Sequence, residues 1–339
     1  MSDPTFRTGV VIGKFYPPHR GHSYLIDVAC ARAAQVTVIV CDNPRQTIPG
    51  RLRAAWLQEL HPEARVMRID DEDDTDDSRV WAENTVRWLG YAPDAVFSSE
   101  DYGDRYAALM GSAHVLVDRA RATVPCSGTR VRADPFAWWD YIAPCVRAYF
   151  AARIVVVGAE SSGTTTLARA LAARYRTVWV PEFARPYCAL KEAGPRPTLW
   201  RSEEFVHIAR EQSRREDAAL RQANRVLICD TDAFATSIWH ERYMGAPSEA
   251  VDAVAAARRP DLYVLTDIDI PFEQDGTRDG EHVRPWMHRR FIEALEDQQR
   301  PYVVVSGPLE ERLRAAEAAI NERVPRLRRT IIDAVASIV

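Results

Sequence analysis

The sequence predicts an α/β protein of two domains, each built on a parallel sheet. Three observations lead there. Short β-branched runs alternate with amphipathic segments at intervals that suit right-handed crossovers. The order strand, glycine turn, helix start occurs twice, at residues 8–22 and again at 153–167. And 339 residues exceed what one core comfortably holds.

In the first domain, residues 1–133, the run 8–12 has the β-branched density of a buried strand. It breaks at Gly13, passes Lys14, Phe15, Pro17 and Pro18, and delivers His19 and His22 as an amphipathic segment, 24–34, begins. A spacing of three puts both imidazoles on one side of a first helical turn. Amide donors are free there and the helix dipole favours anions. Gly21 has no β-carbon to keep a phosphate chain from the backbone.

A second strand is expected at 34–41, closed by Asp42-Asn43-Pro44 and a loop to Gly50. A helix follows at 51–60, carrying Arg51, Arg53 and Trp56, and then a partial strand at 64–69. The carboxylate run 70–77 reads as a solvated loop. A helix at 80–89 carries Trp81 and Trp88; short strands follow at 95–97 and 115–118. Ligands of such sheets sit beyond the carboxyl ends of the strands, and His19 follows the first of them. At 126–132, CSGTRVR, Ser127 and Thr129 offer hydroxyls beside helix-start amides, and Arg132 offers a fork for phosphate oxygens. Residues 134–151, aromatic and broken by two prolines, read as a packed junction.

The second domain, 152–339, opens with a strand at 153–157 and the run GAESSGTTTL. Gly158 and Gly163 fit the spacing of a phosphate-cradling P-loop, with Ser161, Ser162 and Thr166 in or beside it. Thr165 stands where a hydroxyl meets Mg²⁺. Thr164 stands where the pattern has a lysine, so the loop lacks its usual positive charge. The strand 225–230 ends in Asp230, as a Walker B element does; further strands are expected at 261–266 and 301–306, and a helix at 309–322.

Composition excludes several classes. A formal charge of −4 gives no general attraction to nucleic acid or anionic membrane. No signal peptide is expected from the start of the sequence, and no apolar stretch is long enough to span a bilayer. Six cysteines form no CxxC pair and no zinc spacing with the histidines, which suits a reduced, cytoplasmic setting. Lys14 and Lys191 are the only lysines, against many arginines, so Lys14 in the first motif looks selected for shape.

HRGH at 19–22 resembles the HxGH signature of the nucleotidyltransferases, and CSGTRVR resembles their ISxTxxR element with Cys126 in the isoleucine position. SSEDYG at 98–103, the segment 117–129 and DTDAFATS at 230–237 narrow the likeness to the NadR family. The resemblance implies a Rossmann-like nucleotidyltransferase domain followed by a P-loop kinase α/β domain. It implies ATP and Mg²⁺ as cofactors, nicotinamide mononucleotide and nicotinamide riboside as substrates, and NAD as product. His19, His22, Lys14 and Arg132 are the expected catalytic set of the first domain, with Gly13, Phe15, Gly21, Ser127 and Thr129 around the nucleotide. Asp118 and Arg119 are expected to help place it, and Trp81 is open to a stacking or a core role.

In the second domain, Asp230 or Asp232 is expected to hold Mg²⁺ or take the sugar hydroxyl proton, with Thr165 at the metal. Arg278, in a DGxR-like element, and Arg284, Arg289 and Arg290 are lid candidates to offset Thr164; Arg185 is another stand-in. The helix-turn-helix that some family members carry ahead of the first domain is not expected in this chain. Two rivals stay open: a transferase for another phosphorylated substrate, and a second domain that senses nucleotide without transferring phosphate. Partners are expected to be small molecules, with no nucleic acid or membrane, and a homo-oligomer is left open.

Overall fold

The computed structural model describes residues 4–71, 77–192, 199–274 and 280–327. The chain divides into two compact units, Met1–Val146 and Arg147–Val339. The division falls inside the aromatic segment, whose Phe136, Trp139, Ile142 and Cys145 are buried.

In the first unit the strands are β1 (Phe6–Gly13), β2 (Ala33–Asp42), β3 (Arg65–Asp70), β4 (Ala95–Ser98) and β5 (Ala113–Leu116). The helices are α1 (Arg20–Arg32), α2 (Gly50–Leu60), α3 (Ser78–Leu89), α4 (Gly103–Met110) and α5 (Gly128–Ala133), with α6 (Pro144–Phe150) crossing the division. The sheet order is β3-β2-β1-β4-β5, with every pairing parallel. Alternate residues of one strand feed opposite cores. Val11, Val38 and Val40 pack with Leu25, Ile26 and Leu57, whereas Val10 and Ile39 pack with Ile69, Ala82 and Tyr106. That is why these strands read as unbroken apolar runs. The chain leaves β1 toward β2 on one side and returns to β4 on the other, which opens a crevice at the end of β1.

Two boundaries differ from expectation. The first helix ends at Arg32 because Ala33 is already paired with Phe6 across the sheet. The strand expected at 115–118 runs instead from Ala113 to Leu116: its partner β4 ends at Ser98, opposite Leu116, so Val117 and Asp118 leave the ladder.

In the second unit the strands are β6 (Ala152–Gly158), β7 (Trp179–Val180), β8 (Val226–Asp230), β9 (Leu262–Thr266) and β10 (Tyr302–Val305). The helices are α7 (Thr164–Tyr175), α8 (Ala184–Glu192), α9 (Ser202–Leu220), α10 (Ala233–Met244), α11 (Glu249–Ala256), α12 (Arg284–Asp297) and α13 (Leu309–Arg323). The order is β10-β9-β6-β8-β7, again all parallel. Val155, Val157, Leu227, Cys229, Tyr263 and Leu265 meet Phe205, Phe234 and Phe291 in its core. With β8 and β9 on either side of β6, the loop after Gly158 opens at this sheet's switch point. Among the described residues no helix is long and apolar enough to cross a membrane.

Candidate functional site

Each unit carries a cleft at the carboxyl end of its first strand. In the first unit, β1 gives way at Gly13 to a turn in which Phe15 takes a left-handed conformation (φ 42°) and buries its ring. His19 caps α1: its Nδ1 accepts the Gly21 N–H at 3.1 Å. Its ring stacks on that of His22 with centroids 3.7 Å apart, and Phe15 meets His22 edge-on at 5.0 Å. Burial pushes the His19 imidazole down to about 4, with the Arg121 guanidinium adding to the effect. The same two causes, and His19 itself, hold His22 well below its ordinary value. Both rings are therefore neutral at pH 7.

The opposite wall is α5. Ser127 caps it by accepting the Arg130 N–H at 3.3 Å. A β-carbon on Gly128 would lie 2.6 Å from the Tyr16 carbonyl oxygen, so only glycine lets the two segments meet this closely. Arg132 donates to that same carbonyl and to Thr129 Oγ1 at 3.3 Å, with its guanidinium 4.5 Å from the Tyr16 ring centre. Gly13, Lys14, Phe15, His19, Gly21 and His22 thus share a cavity of about 380 Å³ with Ser127, Thr129 and Arg132. These nine expected residues line one cavity. A neighbouring cavity of about 580 Å³ shares Gly13, Lys14 and Tyr102 and is lined by Trp81, Tyr106 and Asp71.

Asp118 lines the first cavity and accepts the N–H groups of Thr123 and Val124, both at 3.0 Å. Arg119 instead pairs with Asp101 at 2.5 Å, its side chain mostly exposed. Three contributors went unread in the sequence. Arg121 lines the cavity. Arg53 is fully buried and binds the Ile48 carbonyl (3.0 Å), the Cys41 carbonyl (3.2 Å), Asp42 (2.8 Å) and the Lys14 carbonyl. Helical spacing offers a signal for it, since Arg53 shares a face with buried Trp56 and Leu57. Ser98 meets His114 Nε2 at 2.9 Å, and His114 Nδ1 meets Asp104 at 2.6 Å, a relay bracing the turn that carries Glu100 and Tyr102.

In the second unit, a β-carbon on Gly158 would collide with Thr266 and Ser162, so the loop lies flat against β9. Ser161 (φ 56°) and Gly163 (φ 86°) turn the chain. Ser162 is buried, donating to the Ala159 carbonyl (2.6 Å) and meeting Thr266 Oγ1 (2.7 Å): it braces the loop from behind. The Thr165 hydroxyl donates to Asp230 Oδ2 at 2.6 Å. Asp230 Oδ1 is buried with no hydrogen-bond partner among the described residues. A hydroxyl and a carboxylate with a free buried oxygen are the hard donors that Mg²⁺ takes, so these residues fit the ion. Gly158, Ser161, Thr164 and Asp230 line a cleft of about 640 Å³ with Glu160, Glu182, Arg185, Trp200, Trp239 and Tyr243. Burial, then the neighbouring Asp230 charge, pushes the Glu182 carboxyl up to about 7.

Other expected residues fall elsewhere. Asp232 does not reach the cleft: it is buried as the cap of α10, accepting the Ala235 N–H (3.0 Å) and the Tyr263 hydroxyl (2.7 Å). Its carboxylate is taken up by these two contacts, and Asp230, not Asp232, lines the cleft. Thr166 is exposed on the first turn of α7, and Arg289 is exposed on α12. Arg290 is held by Glu241 at 2.6 Å. Arg278 lies outside the described residues.

Comparison with known proteins follows the same division. Residues 153–312 match a family model described as an AAA domain. The trifunctional NAD biosynthesis/regulator protein NadR of Escherichia coli (strain K12) is 31% identical over 323 residues, covering 88% of this chain and 78% of that protein. A nicotinamide-nucleotide adenylyltransferase of Aeropyrum pernix is 31% identical over 154 residues, 41% of this chain and 88% of that one. The crystal structure of NadR protein in complex with NR matches with a TM-score of 0.78 at 21% identity, covering 95% of this chain and 97% of that one. At that identity the structural match shows the fold.

Proposed function

The chain belongs to the NadR family, and from that premise we propose that it makes NAD in two steps, one in each unit. The second unit phosphorylates nicotinamide riboside with ATP, and the first transfers the adenylyl group of a second ATP to the mononucleotide. The observation that carries this reading is the convergence of His19, His22, Lys14, Ser127, Thr129 and Arg132 on one cavity at the end of β1.

In the first unit a phosphate oxygen of the mononucleotide attacks the α-phosphorus of ATP. The bond from that phosphorus to the bridging oxygen breaks, and pyrophosphate leaves with the electron pair. The attacking phosphate is already anionic, so the site needs positioning and charge more than a base. The neutral imidazoles donate N–H bonds to phosphate oxygens as charge builds there. Lys14 and Arg132 supply positive charge, and the α1 and α5 amides supply further donors.

In the second unit the riboside 5′-oxygen bonds to the γ-phosphorus, the bond to the β,γ-bridging oxygen breaks, and ADP leaves. The hydroxyl proton passes to the Glu182 carboxylate, whose raised affinity for protons suits a base working near neutrality. Trp200, Trp239 and Tyr243 offer ring faces to a cationic pyridinium. Thr165 and Asp230 would hold Mg²⁺, which supplies charge neutralisation between the phosphates when bound. The reading also places the protein in the cytoplasm, where its six free thiols persist, acting on small molecules and not on nucleic acid.

Purified protein given ATP, Mg²⁺ and either riboside or mononucleotide is expected to yield NAD from both, identified by chromatography. NAD from neither contradicts the reading. NAD from the mononucleotide alone supports the rival in which the lysine-less loop senses nucleotide.

A further inference from the structure

The loop of the second unit has threonine where a lysine would reach the β- and γ-phosphates. Thr164 does not stand in for that cation, because a hydroxyl carries no charge. The charge must come from another residue, and most basic groups around the cleft are already matched to carboxylates. Arg185 pairs with Glu182 at 3.3 Å, Arg242 with Glu160 at 3.7 Å, and Arg290 with Glu241 at 2.6 Å. Lys191 pairs with Glu204 at 2.7 Å. Arg312 binds the Ser162 carbonyl at 2.6 Å from behind the loop, but Asp269 neutralises it.

Arg284 differs. It is 7% exposed, and among the described residues no carboxylate forms an ion pair with it, the Glu281 and Asp269 charges acting on it only from farther away. Its Nη2 donates to the carbonyls of Ile270 (3.0 Å) and Ser161 (3.4 Å), and Ser161 belongs to the phosphate loop itself. Its Nε is buried with no hydrogen-bond partner among the described residues. A buried guanidinium held by two carbonyls and left with a donor to spare is costly, and an anion in contact with it offsets that cost.

We propose that Arg284 replaces the missing loop lysine: mounted on the Ser161 carbonyl, it contacts the terminal phosphates of the nucleotide bound on residues 158–165. The inference rests on the kinase reading of the second unit. It assigns the charge that accepts the developing negative charge on the β,γ-bridging oxygen as the phosphoryl group leaves.

The test uses the full chain in four forms: unchanged, Arg284→Met, Thr164→Lys, and both together. Riboside phosphorylation is read as ADP formed, and ADP binding by calorimetry. NAD formed from the mononucleotide reports that the first unit is intact. Arg284→Met is expected to lower kcat/KM for the riboside by about 100-fold, the scale of losing one charge-stabilising group, and to weaken ADP binding. Thr164→Lys is expected to restore at least about tenfold of that loss in the Arg284→Met background, the scale of one regained phosphate contact. A merely structural arginine would give a loss that lysine at 164 does not restore, and that result overturns the inference. So does Arg284→Met with unchanged turnover. Absence of riboside turnover in all four forms contradicts the kinase reading instead; unchanged ADP affinity in Arg284→Met would then overturn the assignment of Arg284 as well.

Discussion

His22 sits under two aromatic neighbours with a ring nitrogen, Nδ1, that bonds to nothing among the described residues. Such a group is costly unless a ligand satisfies it, which makes it the residue whose loss should be felt in chemistry more than in folding. His22→Ala is expected to lower NAD formation from the mononucleotide by about 100-fold or more, with riboside phosphorylation unchanged. Steady-state rates of the two reactions on one preparation check this. His19 carries a pH dependence. Its folded value, about 4, lies below the ordinary 6.5, so folding favours the neutral ring. The stability this gives is fully present above pH 6.5 and is lost as pH falls through about 4. Thermal melts across that range should show it, and His19→Gln should flatten the first unit's share. Both histidines were legible because their chemistry is local, three residues apart on one helical turn. Arg284 was legible only as one of several arginines, since its lack of a carboxylate depends on side chains far along the chain.

At the scale of elements, the strands were read well because a parallel sheet covered on both faces demands continuous β-branched runs, and β1, β2, β6, β8 and β9 supply them. β7, two residues long, carries no such run and depends on pairing with β8 for its existence. The registers that end β5 at Leu116 and α1 at Arg32 are likewise set across the sheet. Arg53 shows how an element can be read correctly and its main residue missed. The helix was placed, but acceptors from the turn at Lys14 and from the stretch 41–48 converge on the guanidinium only in three dimensions. Arg53→Met, of similar length and without donors, is expected to cost about 3 kcal/mol, since it takes from Asp42 one of its two cations and leaves the Lys14, Cys41 and Ile48 carbonyls without this donor. Denaturant unfolding measures that loss, and the adenylyl transfer rate should fall with it. A variant as stable as the parent would show that Arg53 is a spectator.

For the whole molecule, two parallel sheets each place a glycine turn at the end of the first strand, where the proposed phosphate sites lie, and the motifs that mark those turns are legible in the sequence. The sequence could not show that Asp232 is spent on capping α10, because its aspartate neighbour Asp230 has the same chemistry and only the backbone separates their directions. The central claim is that one chain carries riboside to NAD through the mononucleotide, and the most direct measurement follows the phosphorus atoms. Riboside would be incubated with ATP carrying an ¹⁸O-labelled γ-phosphoryl group, and the NAD analysed by mass spectrometry. The account expects label in the phosphate attached to the nicotinamide riboside, with ADP and pyrophosphate formed in equal amounts. NAD made from mononucleotide but never from riboside, with no ADP released, would contradict it.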